Sequence, residues 1–308
     1  MFSVIFPGQG SQLVGMGKDF FEKYDLVKRL FKEADEVLDL NLSKIILEGP
    51  KEELDFTCNT QPAIFLISFS IFKVITQEFN INLHQAKYFA GHSLGEYSAL
   101  SSAGYLDFAK TIKLLRIRGD AMQNAVPKGE GGMVAVLGKT TENIEKILYD
   151  NNKNFTAEIA NDNSDGQIVI SGKNTDLIKL IEILKSENIK NIKLPVSAPF
   201  HCKLMNKATE TMRKEINDIN FEESKNVLIS NVTATEISDK NEIKKLLIDQ
   251  IENRVRWRES VNYMIKNGVN HFIEIGPGKV LSGLVKRINK DVKIDTINNE
   301  NDINNLKI

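Results

Sequence analysis

Three segments of the chain share one order of features: a short apolar run, a turn that contains glycine, and a stretch with helical spacing. The apolar runs are Ser3 to Phe6, Lys87 to Ala90 and His271 to Ile275, and glycines follow each of them. Such runs are typical of buried strands. Strands that alternate with helices predict a mostly parallel sheet covered on both faces, so we expect an α/β fold. In such sheets the functional groups collect where the C-terminal ends of strands meet turns.

The middle of the chain has a different order of elements. It begins after the glycine-rich stretch from Pro127 to Gly132, which is typical of a domain boundary. The pattern there predicts β-α-β-β-α-β, the ferredoxin-like arrangement, inserted into the larger α/β domain with a cleft between the two. We expect residues 1–126 and 198–308 to form the large domain and residues 127–197 to form the insertion. The predicted elements are Met133–Leu137, Thr141–Tyr149, Phe155–Ala160, Gln167–Ser171, Asp176–Ser186 and Ile189–Val196.

The charge balance excludes a general affinity for nucleic acids or anionic membranes, because 40 basic and 41 acidic residues among 308 leave a formal charge of −1. The two cysteines, Cys58 and Cys202, are too few for a disulfide framework and too far apart for common metal-ligand spacings. We therefore expect a cytoplasmic protein without a metal site. The N-terminal segment has no basic region and does not predict a secretory signal. The most apolar stretch, Pro62 to Ile75, is shorter than the ~20 residues of a membrane-spanning helix and predicts a buried helix.

The sequence Gly91-His92-Ser93-Leu94-Gly95 matches G-x-S-x-G, the pattern of a nucleophile elbow. A sharp turn between a strand and a helix exposes the serine hydroxyl, and small residues are needed on either side of it. The amide of Leu94 would open the following helix, where N–H groups favour a developing oxyanion. The alternative is a chance match in a glycine-containing loop.

A serine hydroxyl needs a base, and four histidines are candidates. His92 immediately precedes Ser93, so its side chain should diverge from the hydroxyl, while His84 lies in a polar connection and His271 borders a strand. His201 follows an irregular stretch at the second domain junction, where a base can face the cleft. A structural histidine is the alternative at that position. Cys202, next to it, is interpreted as a packing residue.

Two glycine-containing turns invite comparison with phosphate-binding motifs, and neither matches. After Gly8-Gln9-Gly10, the third glycine of a dinucleotide fingerprint would fall at Leu13. A loop that supplies a second oxyanion donor is another use of these glycines. The sequence Gly276-Pro277-Gly278-Lys279-Val280 lacks the spacing of a P-loop and is interpreted as a strand-to-helix turn.

Arg116 and Arg118 lie in a predicted helix from Lys110 to Met122 that has no acidic residue before Asp120 to pair with them. A solvated helix face is one interpretation. The other is bidentate recognition of a carboxylate by a planar guanidinium.

Five motifs in this order resemble the malonyl-CoA:acyl carrier protein transacylases over nearly the whole chain. The resemblance implies a hydrolase-like α/β domain with an inserted ferredoxin-like subdomain, which coincides with the element order predicted above. The motifs are Phe6-Pro7-Gly8-Gln9-Gly10-Ser11-Gln12, Gly91-His92-Ser93-Leu94-Gly95-Glu96-Tyr97-Ser98-Ala99, Arg118-Gly119, Pro199-Phe200-His201 and Gly276-Pro277-Gly278-Lys279-Val280-Leu281.

The resemblance implies a role for each site residue. Ser93 is the nucleophile and His201 its base. The amides of Gln9 and Leu94 form the oxyanion hole, and Arg118 binds the free carboxylate of malonate. The histidine is oriented by a main-chain carbonyl instead of an acidic residue, a role that falls on Gln250.

The implied reaction is ping-pong acyl transfer from malonyl-CoA to the phosphopantetheine thiol of acyl carrier protein, through a malonyl-serine ester and without a cofactor. A serine esterase or thioesterase shares the elbow and the base, and Arg118 argues against it only if it faces the cleft. A non-catalytic docking platform would need neither Ser93 nor His201. A chain of this length without appended modules favours fatty-acid chain elongation over a polyketide pathway, and we expect a monomer.

Overall fold

The protein contains a larger, mostly parallel sheet and a smaller antiparallel one. The computed structural model describes residues 1–153, 155–196 and 198–308, so the last residue of the predicted insertion, Ser197, lies outside the described residues. The strands are β1 Phe2–Phe6, β2 Tyr88–Gly91, β3 Gly131–Leu137, β4 Ala157–Ser164, β5 Gln167–Lys173, β6 Asn191–Lys193, β7 Leu228–Ile229, β8 Glu236–Ile237, β9 His271–Ile275 and β10 Lys293–Ile297. The helices are α1 Lys18–Lys23, α2 Asp25–Leu38, α3 Leu42–Glu48, α4 Lys51–Asp55, α5 Thr57–Gln77, α6 Leu94–Ser102, α7 Phe108–Gln123, α8 Thr141–Asp150, α9 Asn174–Ser186, α10 Asn206–Asn217, α11 Lys240–Asp249, α12 Trp257–Lys266, α13 Val280–Ile288 and α14 Glu300–Asn304.

The larger sheet has the strand order β10-β9-β1-β2-β7-β8 and is parallel except between β7 and β8. Every residue of β1 and β9 is buried. Along β1, Val4 and Phe6 belong to the core that contains α5, whereas Ile5 belongs to a second core that contains Trp257 of α12. Successive residues of a strand point to opposite faces, so both faces of this sheet are covered. The predicted parallel α/β core is confirmed.

The smaller sheet is antiparallel, with the order β4-β5-β3-β6, and its elements follow one another as β3-α8-β4-β5-α9-β6. Gly131 and Gly132, predicted to lie at a boundary, begin β3 instead. The last predicted strand, Ile189–Val196, shortens to β6 because its pairing with β3 covers only Asn191 to Lys193.

The prediction of a strand at Phe155–Ala160 was wrong at its C-terminal end, because β4 continues through four polar residues to Ser164. These residues are buried, and two of their side chains have partners distant in sequence. Asp162 forms a bidentate pair with Arg258 at 2.9 Å, and Asn163 contacts His92 at 2.8 Å. A polar run predicts a loop only when its side chains face water, whereas Asp162 and Asn163 are buried against Arg258 and His92.

Helix α5 is the longest helix in the described part of the chain, and it contains the apolar stretch around Pro62 to Ile75. With 21 residues it is long and apolar enough to cross a membrane, contrary to the length expected from the sequence. In the fold, 89% of its most apolar window is buried, and it packs against α7, α6 and α2. Its apolar composition is therefore explained by the core, and the predicted buried helix is confirmed.

The turn between β2 and α6 depends on two glycines that let backbones meet. A Cβ atom added to Gly95 would overlap the carbonyl oxygen of Phe6 at the end of β1, and one added to Gly91 would overlap the backbone of Gly95. Because both obstacles are backbone atoms, a side chain cannot rotate away to relieve them. The first turn of α6 is thereby held against the C-terminal ends of β1 and β2.

We expect Gly95→Ala to lower the free energy of unfolding by at least about 1–3 kcal/mol, because the methyl group forces the elbow away from β1. Gly283→Ala is the matched control, since Gly283 is also helical but no described atom lies within 4 Å of its added Cβ. That control should be neutral or gain up to about 1 kcal/mol. Urea unfolding followed by circular dichroism measures both, and equal midpoints for the two variants would contradict the close-packing explanation.

Candidate active site

Ser93 occupies the turn between β2 and α6, at the C-terminal edge of the larger sheet. Its backbone has φ of 54° and ψ of −110°, a region that non-glycine residues rarely adopt. Such a conformation persists only where surrounding contacts hold it. The Ser93 N–H donates to Asn231 Oδ1 at 2.8 Å, and the Ser93 carbonyl accepts from Gln250 Nε2 at 3.0 Å.

The side chain of Ser93 meets that of His201, 108 residues further along the chain. Ser93 Oγ lies 2.8 Å from His201 Nε2, and His201 Nδ1 lies 2.8 Å from the carbonyl oxygen of Gln250. A carbonyl oxygen only accepts hydrogen bonds, so Nδ1 carries the proton and Nε2 is left as an acceptor for the serine O–H. The geometry thus gives a serine, a base and a group that fixes the tautomer of the base.

The electrostatic surroundings keep His201 neutral. It is buried, and burial, followed by the positive charge of Arg118, lowers its pKa to about 3. Hydrogen bonding to Gln250 acts in the opposite direction but is the weaker influence. At neutral pH the imidazole is therefore unprotonated and free to take a proton from Ser93.

Arg118 points into the same cavity and is only 1% exposed. Its Nη2 donates to Ser93 Oγ at 3.1 Å and to Gln250 Oε1 at 2.8 Å, while its Nη1 donates to Gln61 Oε1 at 2.7 Å. The ring of Tyr97 lies 5.4 Å from the guanidinium carbon. The solvated-face interpretation is wrong for Arg118, because it lies on the buried face of α7 and reaches Ser93.

Arg116 differs from Arg118 although it lies on the same helix. It is half-buried, and its Nη1 donates to the carbonyl oxygen of Cys58 at 3.1 Å and to the side chain of Asn59. Residues two apart on a helix do not share a face. The structure therefore brings Arg118 to Ser93 and leaves Arg116 paired with the first turn of α5.

Gln9 and Leu94 line the cavity that contains Ser93, His201 and Arg118. Leu94 is the first residue of α6, where a backbone N–H has no acceptor within its own helix. Gln9 follows β1, and its side chain donates to Thr57 Oγ1 at 3.5 Å. Both predicted oxyanion donors thus border the nucleophile's cavity, and their role stays a prediction.

The cavity lies between the two sheets, because its walls come from both. Residues of the α/β core form one side, and Met133 of β3 together with Leu194 and Val196 after β6 forms the other. Phe200 and Met122 complete an apolar lining. Apolar walls around a few convergent polar groups are typical of small-molecule sites.

The sequence interpretation missed Asn231 and Gln61, and it assigned a role to the main-chain carbonyl of Gln250 but none to its side chain. Asn231 holds the Ser93 amide, Gln61 binds Arg118, and the side chain of Gln250 binds both Ser93 and Arg118. Asn231 follows β7, far from the elbow in sequence, and no motif marks it. Gln61 lies in the most apolar helix, where a buried amide needs a partner, and this is the one sequence signal that could mark it.

The other predicted histidine and cysteine assignments agree with the structure. His92 turns away from Ser93 Oγ to contact Asn163 at 2.8 Å, His271 pairs with Asp295 at 2.7 Å, and His84 contacts Asn226 at 3.0 Å. Cys202 is buried, with its Sγ 3.1 Å from the Pro199 carbonyl. Among the described residues, no group of three or more His, Cys, Asp or Glu side chains could hold a metal ion.

The turn at Gly276-Pro277-Gly278 does not form a phosphate site, because a carboxylate occupies the helix terminus that it precedes. Glu274 is fully buried and accepts from the backbone N–H groups of Leu281 and Ser282 at 3.0 and 2.7 Å. The positive end of α13 is therefore neutralised within the protein. The predicted strand-to-helix turn is confirmed.

The pH dependence of Ser93 reactivity tests the neutral state of His201. We expect the second-order rate of Ser93 sulfonylation by phenylmethylsulfonyl fluoride to change little between pH 8 and pH 5, because the folded pKa of His201 lies far below that window. A histidine with an ordinary pKa near 6.5 would slow the reaction about 30-fold at pH 5. Intact-protein mass spectrometry measures the rate, and Ser93→Ala serves as the unlabelled control. A 30-fold loss would show that the imidazole is solvated.

Comparison with known proteins places this geometry in a family. The acyl transferase domain family model matches residues 3–302. The chain is 44% identical over 294 residues to the malonyl CoA-acyl carrier protein transacylase of Bacillus subtilis (strain 168), which covers 94% of this chain and 90% of that protein.

Solved structures give the same result. The acyl-carrier-protein-S-malonyltransferase of Bartonella henselae superimposes with a TM-score of 0.96 at 42% identity, covering 99% of this chain and 97% of that one. A type II PKS acyl-carrier protein in complex with its malonyl-transacylase matches with a TM-score of 0.94 at 36% identity, covering 98% and 97%. The chain therefore belongs to the acyl transferase domain family, among the malonyl CoA-acyl carrier protein transacylases.

Proposed function

We propose that this protein is an acyltransferase that moves the malonyl group from malonyl-CoA to the phosphopantetheine thiol of acyl carrier protein, for fatty-acid chain elongation. One observation carries the proposal: a buried guanidinium lies 3.1 Å from the hydroxyl of a serine that is paired with a neutral histidine. A buried cation beside a nucleophile is costly unless an anionic substrate uses it. The similar proteins named above, one of them in complex with an acyl-carrier protein, support the same substrate and partner.

In the first half-reaction, Ser93 Oγ attacks the thioester carbon of malonyl-CoA while His201 Nε2 takes the hydroxyl proton. The N–H groups of Gln9 and Leu94 hold the oxyanion of the tetrahedral intermediate. The carbon–sulfur bond then breaks, and His201 returns its proton to the coenzyme A thiolate. A malonyl ester remains on Ser93.

In the second half-reaction, the phosphopantetheine thiol of acyl carrier protein attacks that ester, and His201 takes the thiol proton. Collapse of the second intermediate restores Ser93, which recovers its proton from His201. The reaction needs only the two substrates and these side chains, and we propose no cofactor for it.

Arg118 supplies selectivity for malonyl groups. The free carboxylate pairs with the guanidinium, whereas an acetyl group leaves the buried cation without an anion. The ion pair between Arg118 and the malonyl carboxylate also affects His201. Because the charge of Arg118 is one cause of the low pKa of His201, a carboxylate that neutralises Arg118 raises that pKa. Binding of the correct substrate therefore strengthens the base that acts on it.

Gln250 takes the place of the acidic residue of a protease triad. A carbonyl dipole stabilises an imidazolium less than a buried carboxylate does. It still fixes the tautomer, because only the Nδ1–H of His201 can donate to it.

We further propose that residues 127–197 form an inserted ferredoxin-like subdomain within a hydrolase-like domain built from residues 1–126 and 198–308. The element order β3-α8-β4-β5-α9-β6 and the strand order β4-β5-β3-β6 support this division. A monomeric, cytoplasmic enzyme is part of the same proposal.

Brief incubation with malonyl-CoA, without carrier protein, tests the reaction by intact-protein mass spectrometry and peptide mapping. We expect one malonyl adduct on Ser93, which added holo acyl carrier protein discharges. Ser93→Ala should give no adduct, and His201→Ala should slow its formation by roughly 10²–10⁴-fold. Steady release of free coenzyme A without an adduct would indicate a hydrolase. No reaction at all would indicate a docking platform.

Selectivity for malonate is tested by Arg118→Ala, with Arg116→Ala as a matched control on the same helix. We expect Arg118→Ala to lower the ratio of malonyl to acetyl acylation rates at least about tenfold, because only the malonyl group has a carboxylate to lose. Arg116→Ala should keep the native ratio, since Arg116 binds backbone and side-chain oxygens near Cys58. An unchanged ratio for Arg118→Ala would remove Arg118 from substrate recognition.

A further inference from the structure

Two side chains from distant parts of the chain hold the backbone of Ser93. Asn231, after β7, accepts from the Ser93 N–H, and its own Nδ2 donates to the carbonyl oxygen of Gly91 at 2.7 Å. Gln250, after α11, donates to the Ser93 carbonyl at 3.0 Å. Together they bind the N–H and the carbonyl of Ser93, whose φ of 54° is unfavourable for a residue with a side chain.

Both of these residues converge on one carboxylate, that of Glu96. Glu96 Oε2 accepts from Gln250 Nε2 at 2.7 Å and from the backbone N–H of Asn231 at 3.2 Å. The residue is 4% exposed and lies on the inner face of α6. The proposed reaction makes no use of it, although a buried carboxylate is costly to keep.

The sequence around Glu96 matches a helix-capping pattern, but the structure does not form that cap. Ser93-Leu94-Gly95-Glu96 matches the capping box S-x-x-E, in which the glutamate would bind the Ser93 N–H and the serine oxygen would bind the Glu96 N–H. Within the described residues, the side chain of Ser93 makes no cap hydrogen bond. Its Oγ faces His201, and its N–H is taken by Asn231. Glu96 is therefore turned away from its own helix terminus toward Gln250.

The contact with Glu96 also orients the amide of Gln250, together with the Ser93 carbonyl and Arg118. The two ends of a carboxamide differ, since the oxygen accepts and the NH₂ group donates. Because the carboxylate accepts only, it holds Nε2 and leaves Oε1 to face Arg118, at 2.8 Å. A flipped amide would place NH₂ against the guanidinium, donor against donor.

We propose that Glu96 is a positioning residue, which fixes the orientation of Gln250 and the loop of Asn231 and thereby sets the geometry of Ser93 and of Arg118. It acts through those two residues and touches no reacting atom. The part of this inference that concerns malonyl selectivity rests on the proposed function, and the part that concerns Ser93 does not.

The accepting oxygen of Glu96, and not its charge, positions Gln250 and Asn231. Burial raises the pKa of Glu96 to about 7, so the neutral acid is accessible to the enzyme near neutrality. A glutamine at this position retains an oxygen that can accept from Gln250 and Asn231, while an alanine removes it.

Glu96→Gln and Glu96→Ala separate these contributions, with Ser98→Ala as a control on the same helix. Ser98 is buried, and its hydroxyl has no hydrogen-bond partner among the described residues. The first readout is the sulfonylation rate of Ser93 by phenylmethylsulfonyl fluoride, which needs no malonyl substrate. The second is the ratio of malonyl to acetyl acylation, which a fraction of unfolded protein leaves unchanged.

We expect Glu96→Ala to lower the sulfonylation rate at least about tenfold and the malonyl-to-acetyl ratio at least about fivefold, because displaced reacting groups cost rate steeply. Glu96→Gln should stay within about threefold of the native protein in both readouts, and Ser98→Ala should match the native protein. If Glu96→Ala kept the native sulfonylation rate and the native malonyl-to-acetyl ratio, the proposal would be wrong. It would also be wrong if Glu96→Gln lost as much as Glu96→Ala in these readouts. If the native protein takes no malonyl group, the proposed function fails, while the sulfonylation rates still decide the role of Glu96.

Discussion

The hydrogen bonds of Gln250 join the parts of this active site. Its main-chain oxygen accepts from His201, its Oε1 accepts from Arg118, and its Nε2 donates to the carbonyl oxygen of Ser93 and to Glu96. His201, Arg118 and Ser93 come from separate segments of the chain, and Gln250, which is buried, contacts all three. A small movement of the loop after α11 would therefore alter all three groups at once, so the packing of that loop matters as much as the elbow itself.

The second constraint is electrostatic. Nη1 and Nη2 of Arg118 donate to the amide oxygens of Gln61 and Gln250, and the ring of Tyr97 lies beside the guanidinium. Amide oxygens accept these hydrogen bonds without carrying a net charge, so they leave the positive charge of Arg118 uncancelled. Burial, together with that charge, keeps His201 neutral, and in the proposed reaction the same charge binds the malonyl carboxylate. The same cation thus serves the base before substrate arrives and the substrate afterwards.

The smaller sheet completes the site from the other side, and its attachment relies on polar contacts. Asp162 pairs with Arg258 of α12, Asn163 contacts His92, and Asn161 forms a bridge with Val255. These residues follow one another along β4, whose C-terminal half is polar yet buried. An interface of this kind fixes the orientation of the two parts, since each polar group must meet its own partner.

Local rules in the sequence determined the strands of the parallel core, the elbow at Ser93 and the failure of both glycine turns as phosphate motifs, because strand periodicity and glycine sterics act over a few residues. The resemblance to a family added roles for Ser93, His201, Arg118 and Gln250. Only the tertiary structure decided that Arg118 faces inward while Arg116 does not, and that β4 continues through a polar run. It also showed that Glu96 contacts Gln250, 154 residues away, although the sequence from Ser93 to Glu96 matches a helix cap. The physical reason is that a buried polar side chain is defined by its partner, and these partners are brought together by packing of the whole core and not by neighbouring residues.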